Sequence, residues 1–514
     1  MKKLVAILFF SLTSLVVYSQ VTKTYFSDST AIKNIIKEKN LSLENTPTYT
    51  MPKFDLDKLM EEDKRLDSYD VPYRFGKAFD VSYSLEDGVW QDCEDGRIWS
   101  ISFSSRKAQS LNFVLNDFFI PNGAKLFITN KSQNVLYGPV CNKNIGKNGF
   151  FLTDIIPGDE AMFFLYEPKS EKGKSNLTIK RIVHGYRFFS DSEYLGNDGA
   201  SAPCNINVAC RPSFEKESHA IGLVLLSSGY ELCSGSLLMT TDMSFKPYFL
   251  TAFHCIDIDN DFELSNAEIS AAENWMFMFN YKKKECDGNI LANSFTYNSA
   301  NFKSAWYCTD FALMEIADSL QNNLELSWLG WDRTGNVPTS GNCIHHPCGD
   351  VMKINTVNSS FGTSSWNGDN NHWYINWDEG ITQGGSSGAP FLNQNKLVVG
   401  QNHGKAVSQN HLPLCDRKRS DGGKFHLSWT GGQTNSTRLS NWLDPENTNS
   451  LICQTHSSAE LLSISGPEHP CGTTTYSVAN LPTGYTVDWS IAPAVSFFNS
   501  SILTTNSPQQ NQCT

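Results

Sequence analysis

Excess positive charge is missing from this sequence. Its 514 residues carry 41 Lys and Arg against 53 Asp and Glu, a formal net charge of −12. Holding nucleic-acid phosphates needs a basic face, so that partner class is excluded. Long apolar runs are also missing beyond the first residues, and no later segment has the length and hydropathy of a membrane helix. Helical periodicity is scarce from Cys204 to about residue 435, which argues against an alternating α/β architecture there. Residue 386, just before a glycine-flanked Ser387, is a serine and not a carboxylate. The length is too great for one ordinary core and implies roughly two to four domains.

What is present begins with an export signal. Met1-Lys2-Lys3 precedes an apolar run over 4–17 and then Tyr18-Ser19-Gln20. A charged start, a short apolar stretch and a small residue at the cut describe a secretory signal peptide over 1–19. The expectation is therefore a secreted, extracellular protein with no membrane attachment after signal removal. In an oxidising compartment the 14 cysteines are expected to pair. Cys93 and Cys141 stand apart from a dense set between Cys204 and Cys415, and Cys453, Cys471 and Cys513 trail behind. That clustering implies a stapled middle domain between two others.

The chain divides accordingly. Residues 54–66 have helical spacing and predict an exposed helix. Over 78–168, short alternating runs such as Ile98-Trp-Ser-Ile-Ser-Phe are separated by Pro-Asn-Gly and Pro-Gly-Asp, the pattern of a small β-sandwich. Residues 169–203 are rich in Lys, Ser, Gly and Asp and read as a linker. Many short strands over 204–453 suit a two-barrel, all-β domain, closed by a helix over 436–444 that Pro445 stops. Residues 458–514 read as the first strands of an Ig-like or PKD-like module, short for a complete sandwich, as in a piece of a longer protein.

The chemistry sits in the middle domain. Hydrolysing an amide with serine needs a nucleophile, a base, a carboxylate that orients the base, and donors for the oxyanion. Phe249-Leu-Thr-Ala-Phe-His254-Cys255 ends an apolar strand with a histidine. Asp310-Phe-Ala-Leu-Met-Glu-Ile opens another with an aspartate, and Gly384-Gly-Ser-Ser387-Gly-Ala-Pro supplies a serine on a glycine-rich turn. The same turn fits a G-x-S-x-G elbow, which would make Ser386 the nucleophile of an α/β-hydrolase, but the surrounding helices are lacking. Cys343-Ile-His-His-Pro-Cys348 lacks the separated ligand pairs of a zinc site. Asp257-Ile-Asp-Asn-Asp261 has calcium-loop spacing, but Phe262 stands where an EF-hand needs glycine. No metal and no cofactor are expected.

Residues 204–445 resemble the lysyl endopeptidase family of trypsin-like (chymotrypsin-fold) serine proteases. The matching pieces include Cys204-Asn-Ile-Asn-Val-Ala-Cys210, Cys233-Ser-Gly-Ser-Leu, Leu250-Thr-Ala-Phe-His-Cys255, Asp310-Phe-Ala-Leu-Met-Glu, Gly330-Trp-Asp-Arg and Ile344-His-His-Pro. Gly384-Gly-Ser-Ser-Gly-Ala-Pro, Gly400-Gln-Asn-His-Gly and Arg438-Leu-Ser-Asn-Trp-Leu-Asp-Pro complete them. The resemblance implies a mainly β fold of two six-stranded antiparallel barrels, preceded by a β-rich pro-region over 20–203. It implies His254 as general base, Asp310 as its orienting acid, Ser387 as nucleophile, and the N–H groups of Gly385 and Ser387 as oxyanion hole. For a substrate lysine it implies Asp421 as the pocket carboxylate, with His403 and Trp366 as packed walls. It further implies the disulfides Cys204–Cys415, Cys210–Cys286 and Cys233–Cys255.

Cys308, Cys343 and Cys348 depart from the family pattern; a bridge from Cys308 to either of the others would stiffen the strand of Asp310. Ser386 departs from digestive relatives, whose new amino terminus pairs with an acid at that position, so silencing passes to the pro-region. No lysine lies between Arg181 and Cys204, which leaves Lys180, Arg187 or another protease for processing. The expected protein is a monomeric endopeptidase acting on proteins or peptides after lysine, with its own pro-region as inhibitor. The rival readings are cleavage after both Lys and Arg, and an inactive protease-like binding or adhesion protein.

Overall fold

A computed structural model describes residues 20–38, 42–67, 71–187, 201–366, 369–404, 409, 411–465, 476–479 and 512–513. The signal segment 1–19 lies outside the described residues, as does most of 458–514. Of that last stretch the strands Ser463–Ser465, Tyr476–Ala479 and Gln512–Cys513 form a three-stranded sheet. The protein is mainly β.

Two facing sheets build the first part of the chain. In one, Glu160–Pro168 pairs antiparallel with Gly96–Ser104 on one side and Lys125–Asn130 on the other. In the other, Asn176–Gly185 lies between Ser110–Phe119 and Gly76–Ser84. Apolar alternation turns Phe103, Phe113 and Phe163 inward from both sheets, with Phe113 and Phe163 ring centroids 4.7 Å apart. Here the linker expected over 169–203 is corrected, because Asn176–Gly185 is a ten-residue strand at the centre of its sheet. A bulge between Ile179 and Arg181 shifts its register, which breaks the period-two alternation that would have announced it.

The helix forms over Leu56–Leu66, with the Asp55 side chain accepting from the Lys58 N–H. It is largely exposed, except that Asp63 is buried and takes bonds from Arg74 and the Tyr186 hydroxyl. The helix expected over 436–444 contracts to Ser440–Leu443, because the Gly432 N–H closes a turn onto the Thr437 carbonyl.

From Ile221 onward the strands run Ile221–Leu225, Glu231–Leu237, Tyr248–Ala252, Met276–Phe279, Ser294–Asn298, Ala300–Trp306 and Phe311–Ile316, all antiparallel to their partners. A ten-stranded sheet follows, carrying Gly341–His345, Pro390–Asn393, Val398–Gly404, Arg419–Lys424 and His372–Asn376. Disulfides join Cys204 to Cys415, Cys210 to Cys286 and Cys233 to Cys255. The bridge considered for Cys308 does not form: Cys308, Cys343 and Cys348 carry no disulfide, and the Cys348 sulfur accepts from Gln383 Nε2.

The two parts share one sheet. Val21–Tyr25 pairs with Val135–Val140 on one side and Ser294–Asn298 on the other, so this strand bridges them. Lys23 on that strand reaches the buried Asp154 carboxylate at 2.8 Å. A second junction is apolar: Tyr73, Phe75, Val114 and Val183 pack against Leu223, Leu232, Met276 and Met278.

Candidate active site

Two strand ends bring His254 and Asp310 together. Tyr248–Ala252 pairs with Phe311–Ile316 so that Ala252 lies opposite Phe311. His254 is two residues past the end of one strand, and Asp310 immediately precedes the other. Both Asp310 oxygens lie 3.0 Å from His254 Nδ1, and Oδ1 also accepts the His254 N–H at 3.0 Å. Asp310 has φ 53°, the left-handed region, which a non-glycine residue adopts only where its surroundings over-determine it. Its own N–H to Tyr307 O, and its carbonyl accepting from Phe253, hold it there. Burial alone would raise the Asp310 carboxyl; the His254 and His403 rings and the bonds from His254 outweigh this and hold it below its ordinary value.

Ser387 stands on a turn that needs its glycines. Gly385 and Gly388 have φ of 86° and 82°. A Cβ on Gly388 would fall 2.4 Å from Ser234 O and 2.7 Å from Ala252 N, so the turn lies directly on the strand that leads to His254. Ser234 clamps it, donating its N–H to Ser387 O and its hydroxyl to Gly385 O. Among the described residues, neither the Gly385 nor the Ser387 N–H is taken by a backbone carbonyl. Ser386 differs: it is fully buried, and its hydroxyl meets His345 Nδ1 at 2.7 Å and accepts the Gln383 N–H. It props the turn from beneath.

His403, Trp366 and Asp421 come from neighbouring strands and a loop. His403 is the extra residue of a bulge between Asn402 and Gly404, which turns its ring toward His254. The two rings lie 5.4 Å apart and nearly parallel, and Trp366 covers the other side of His403 at 3.9 Å. Asp421 lies opposite Gly404 and Tyr374 on Arg419–Lys424 and is buried.

Four further residues shape this region without a signal in the sequence. Asn371 Oδ1 accepts from Trp366 N and meets His372 Nδ1, while its Nδ2 donates to Cys308 O. With Asn371 so oriented, His372 donates from Nδ1 and accepts at Nε2 from His403 Nδ1, 2.9 Å away. That chain sets the tautomer of His403. Burial pushes His372 down to about 4 and His403 down to about 3, so both stay neutral. Arg419 and Ser364 contact Asp421. Only their positions across strands reveal them.

Residues 198–414 match the family model for the lysyl endopeptidase C-terminal domain. This stretch holds His254, Asp310, Trp366, Ser387 and His403, and stops short of Asp421. Over this stretch the chain is similar to the lysyl endopeptidases. The lysyl endopeptidase of Pseudomonas aeruginosa is 23% identical over 323 residues, covering 59% of this chain and 67% of that protein. A thermostable serine protease, AL20, from an extremophilic microorganism is 16% identical, with TM-score 0.29 over 41% of this chain and 92% of its own. A Glu endopeptidase solved with MPD is likewise 16% identical, with TM-score 0.29 over 45% of this chain and 93% of its own.

Proposed function

We propose that this chain is an exported serine endopeptidase that cleaves proteins or peptides after lysine through His254, Asp310 and Ser387. The observation that carries the reading is the seating of the His254 ring, held at Nδ1 by both Asp310 oxygens and packed against His403. With Nδ1 engaged, Nε2 takes the Ser387 proton as Oγ attacks the scissile carbonyl. Asp310 stabilises the imidazolium so formed, and the N–H groups of Gly385 and Ser387 receive the oxyanion. His254 then gives its proton to the leaving amine, an acyl-enzyme remains, and water repeats the sequence to release the acid. Asp421 receives the substrate ammonium, with Trp366 and His403 as the slot walls.

In this reading residues 204–453 form the two-barrel catalytic domain, 20–203 its inhibitory pro-region, and 458–514 a β-module. Inhibition is supported by one contact in particular. Strand Tyr73–Arg74 pairs with Glu231–Leu237, and the Tyr73 ring lies so close to Gly384 that a Cβ there would come within 2.6 Å. Tyr73 thus covers the turn of Ser387. Lys180 is a poor processing point, since it sits in the central strand Asn176–Gly185. Arg187 is tied to Asp63 and Asp67, so its release would first break that pairing.

The test incubates the full chain, after processing, with a protein substrate beside a Ser387→Ala control. New termini after lysine are expected by mass spectrometry from the first and none from the second. Equal cleavage after arginine would remove the lysyl reading, and no cleavage by either would leave a binding protein.

A further inference from the structure

The Asp421 carboxylate is already engaged by its own chain. Arg419 lies two residues earlier on the same strand, so both side chains project to one face. Arg419 Nε donates to Oδ2 at 3.0 Å and Nη2 to Oδ1 at 2.9 Å. Ser364 adds a bond from its hydroxyl to Oδ1 at 2.5 Å. The guanidinium is itself pinned 4.8 Å over the Tyr374 ring. Asp421 is 2% exposed, so water does not compete for what remains.

A carboxylate offers about four lone-pair sites. Among the described residues, Arg419 and Ser364 use both on Oδ1 and one on Oδ2, leaving a single site on Oδ2. An ammonium can use one site, because it is a compact charge with rotatable donors. A guanidinium recognises a carboxylate through two parallel bonds, and the edge it would need is held by Arg419. Arg419 also keeps the buried carboxylate paired while the pocket is empty.

We propose that Arg419 and Ser364 are specificity-determining residues, which restrict Asp421 to one hydrogen bond from a substrate ammonium and so reject arginine. This rests on the reading of Asp421 as the carboxylate that receives the substrate side chain. A lysine and an arginine side chain differ little in reach, so the count of open acceptor sites makes the distinction.

The test compares two peptides that differ only in Lys or Arg at the cleaved position, using the processed full chain and its variants. Arg419→Ala is expected to lower the Lys-to-Arg ratio of kcat/KM by about tenfold or more, through a lower KM for the arginine peptide. Ser364→Ala, which leaves the buried ion pair intact, should lower it by about threefold. Competitive inhibition by butylguanidine against butylamine should shift in the same direction, independently of acyl transfer. An unchanged ratio in both variants would overturn the proposal. So would a parallel gain for both peptides in Arg419→Ala, which would make Arg419 a plug. Asp421→Asn separates the two levels: if it leaves lysine cleavage intact, the pocket reading itself is wrong.

Discussion

Asp310 and Asp421 are equally buried, each 2% exposed, yet their partners differ in kind. Asp310 faces imidazoles, and its hydrogen bonds come from His254. Asp421 faces a guanidinium that never loses its charge, at 2.9 and 3.0 Å. A carboxylate that must stabilise a transient cation is best left beside a group that is neutral at rest. One that must recognise a permanent cation can be partly neutralised beforehand, and the pairing then narrows what it accepts. In the proposed function the same residue type thus serves catalysis in one place and selection in the other.

The largest effect should come from the transient pair. Asp310→Asn keeps the shape but disfavours the required His254 tautomer, and turnover should drop by about 10⁴-fold in steady-state kinetics. A small loss would mean that Asp310 is structural. Asp421→Asn should act on recognition, lowering kcat/KM for lysine peptides by about 10²-fold, chiefly through KM. If kcat fell instead, the contrast between the two carboxylates would collapse.

Acid should separate the buried histidines from Asp310. His372 and His403 protonate near 6.5 when unfolded but only at about 4 and about 3 when folded. Between those limits the unfolded chain binds more protons, so stability rises with pH and is lost as pH falls below about 6.5. The unfolding free energy from urea titration should therefore decline between pH 6.5 and 4, by roughly 1–3 kcal/mol per histidine, and His372→Gln should flatten the slope. Asp310 has the opposite placement. Its folded value lies below 3.8, so its contribution persists above that pH and is lost only as pH falls further. Ser386→Ala should matter least: activity within a few-fold, and a stability loss of about 1–2 kcal/mol from the buried bond to His345.

Much of this was legible along the chain because it lives in local patterns. Apolar runs that end in His254 and begin with Asp310 announce strand ends, and glycines around Ser387 announce a turn. Asn176–Gly185 was illegible because its bulge sits on Lys180-Arg181, where two charged residues in succession imitate a linker. Arg419 was visible as a residue beside Asp421, but nothing local says that its side chain curls back to hold it. Asn371 and Ser364 are ordinary loop and strand residues until Cys308 and Asp421 are placed against them.

By itself the sequence determined the β architecture of the middle region, the residues proposed for acyl transfer, and the family they resemble. Those follow from periodicity and from short motifs, which need only neighbours in the chain. The tertiary structure decided which of two adjacent serines is buried, how the tautomer of His403 is set, how many sites Asp421 keeps open, and what Tyr73 covers. Each of these depends on a hydrogen bond or a close approach between residues far apart in the chain, and no local pattern encodes that geometry.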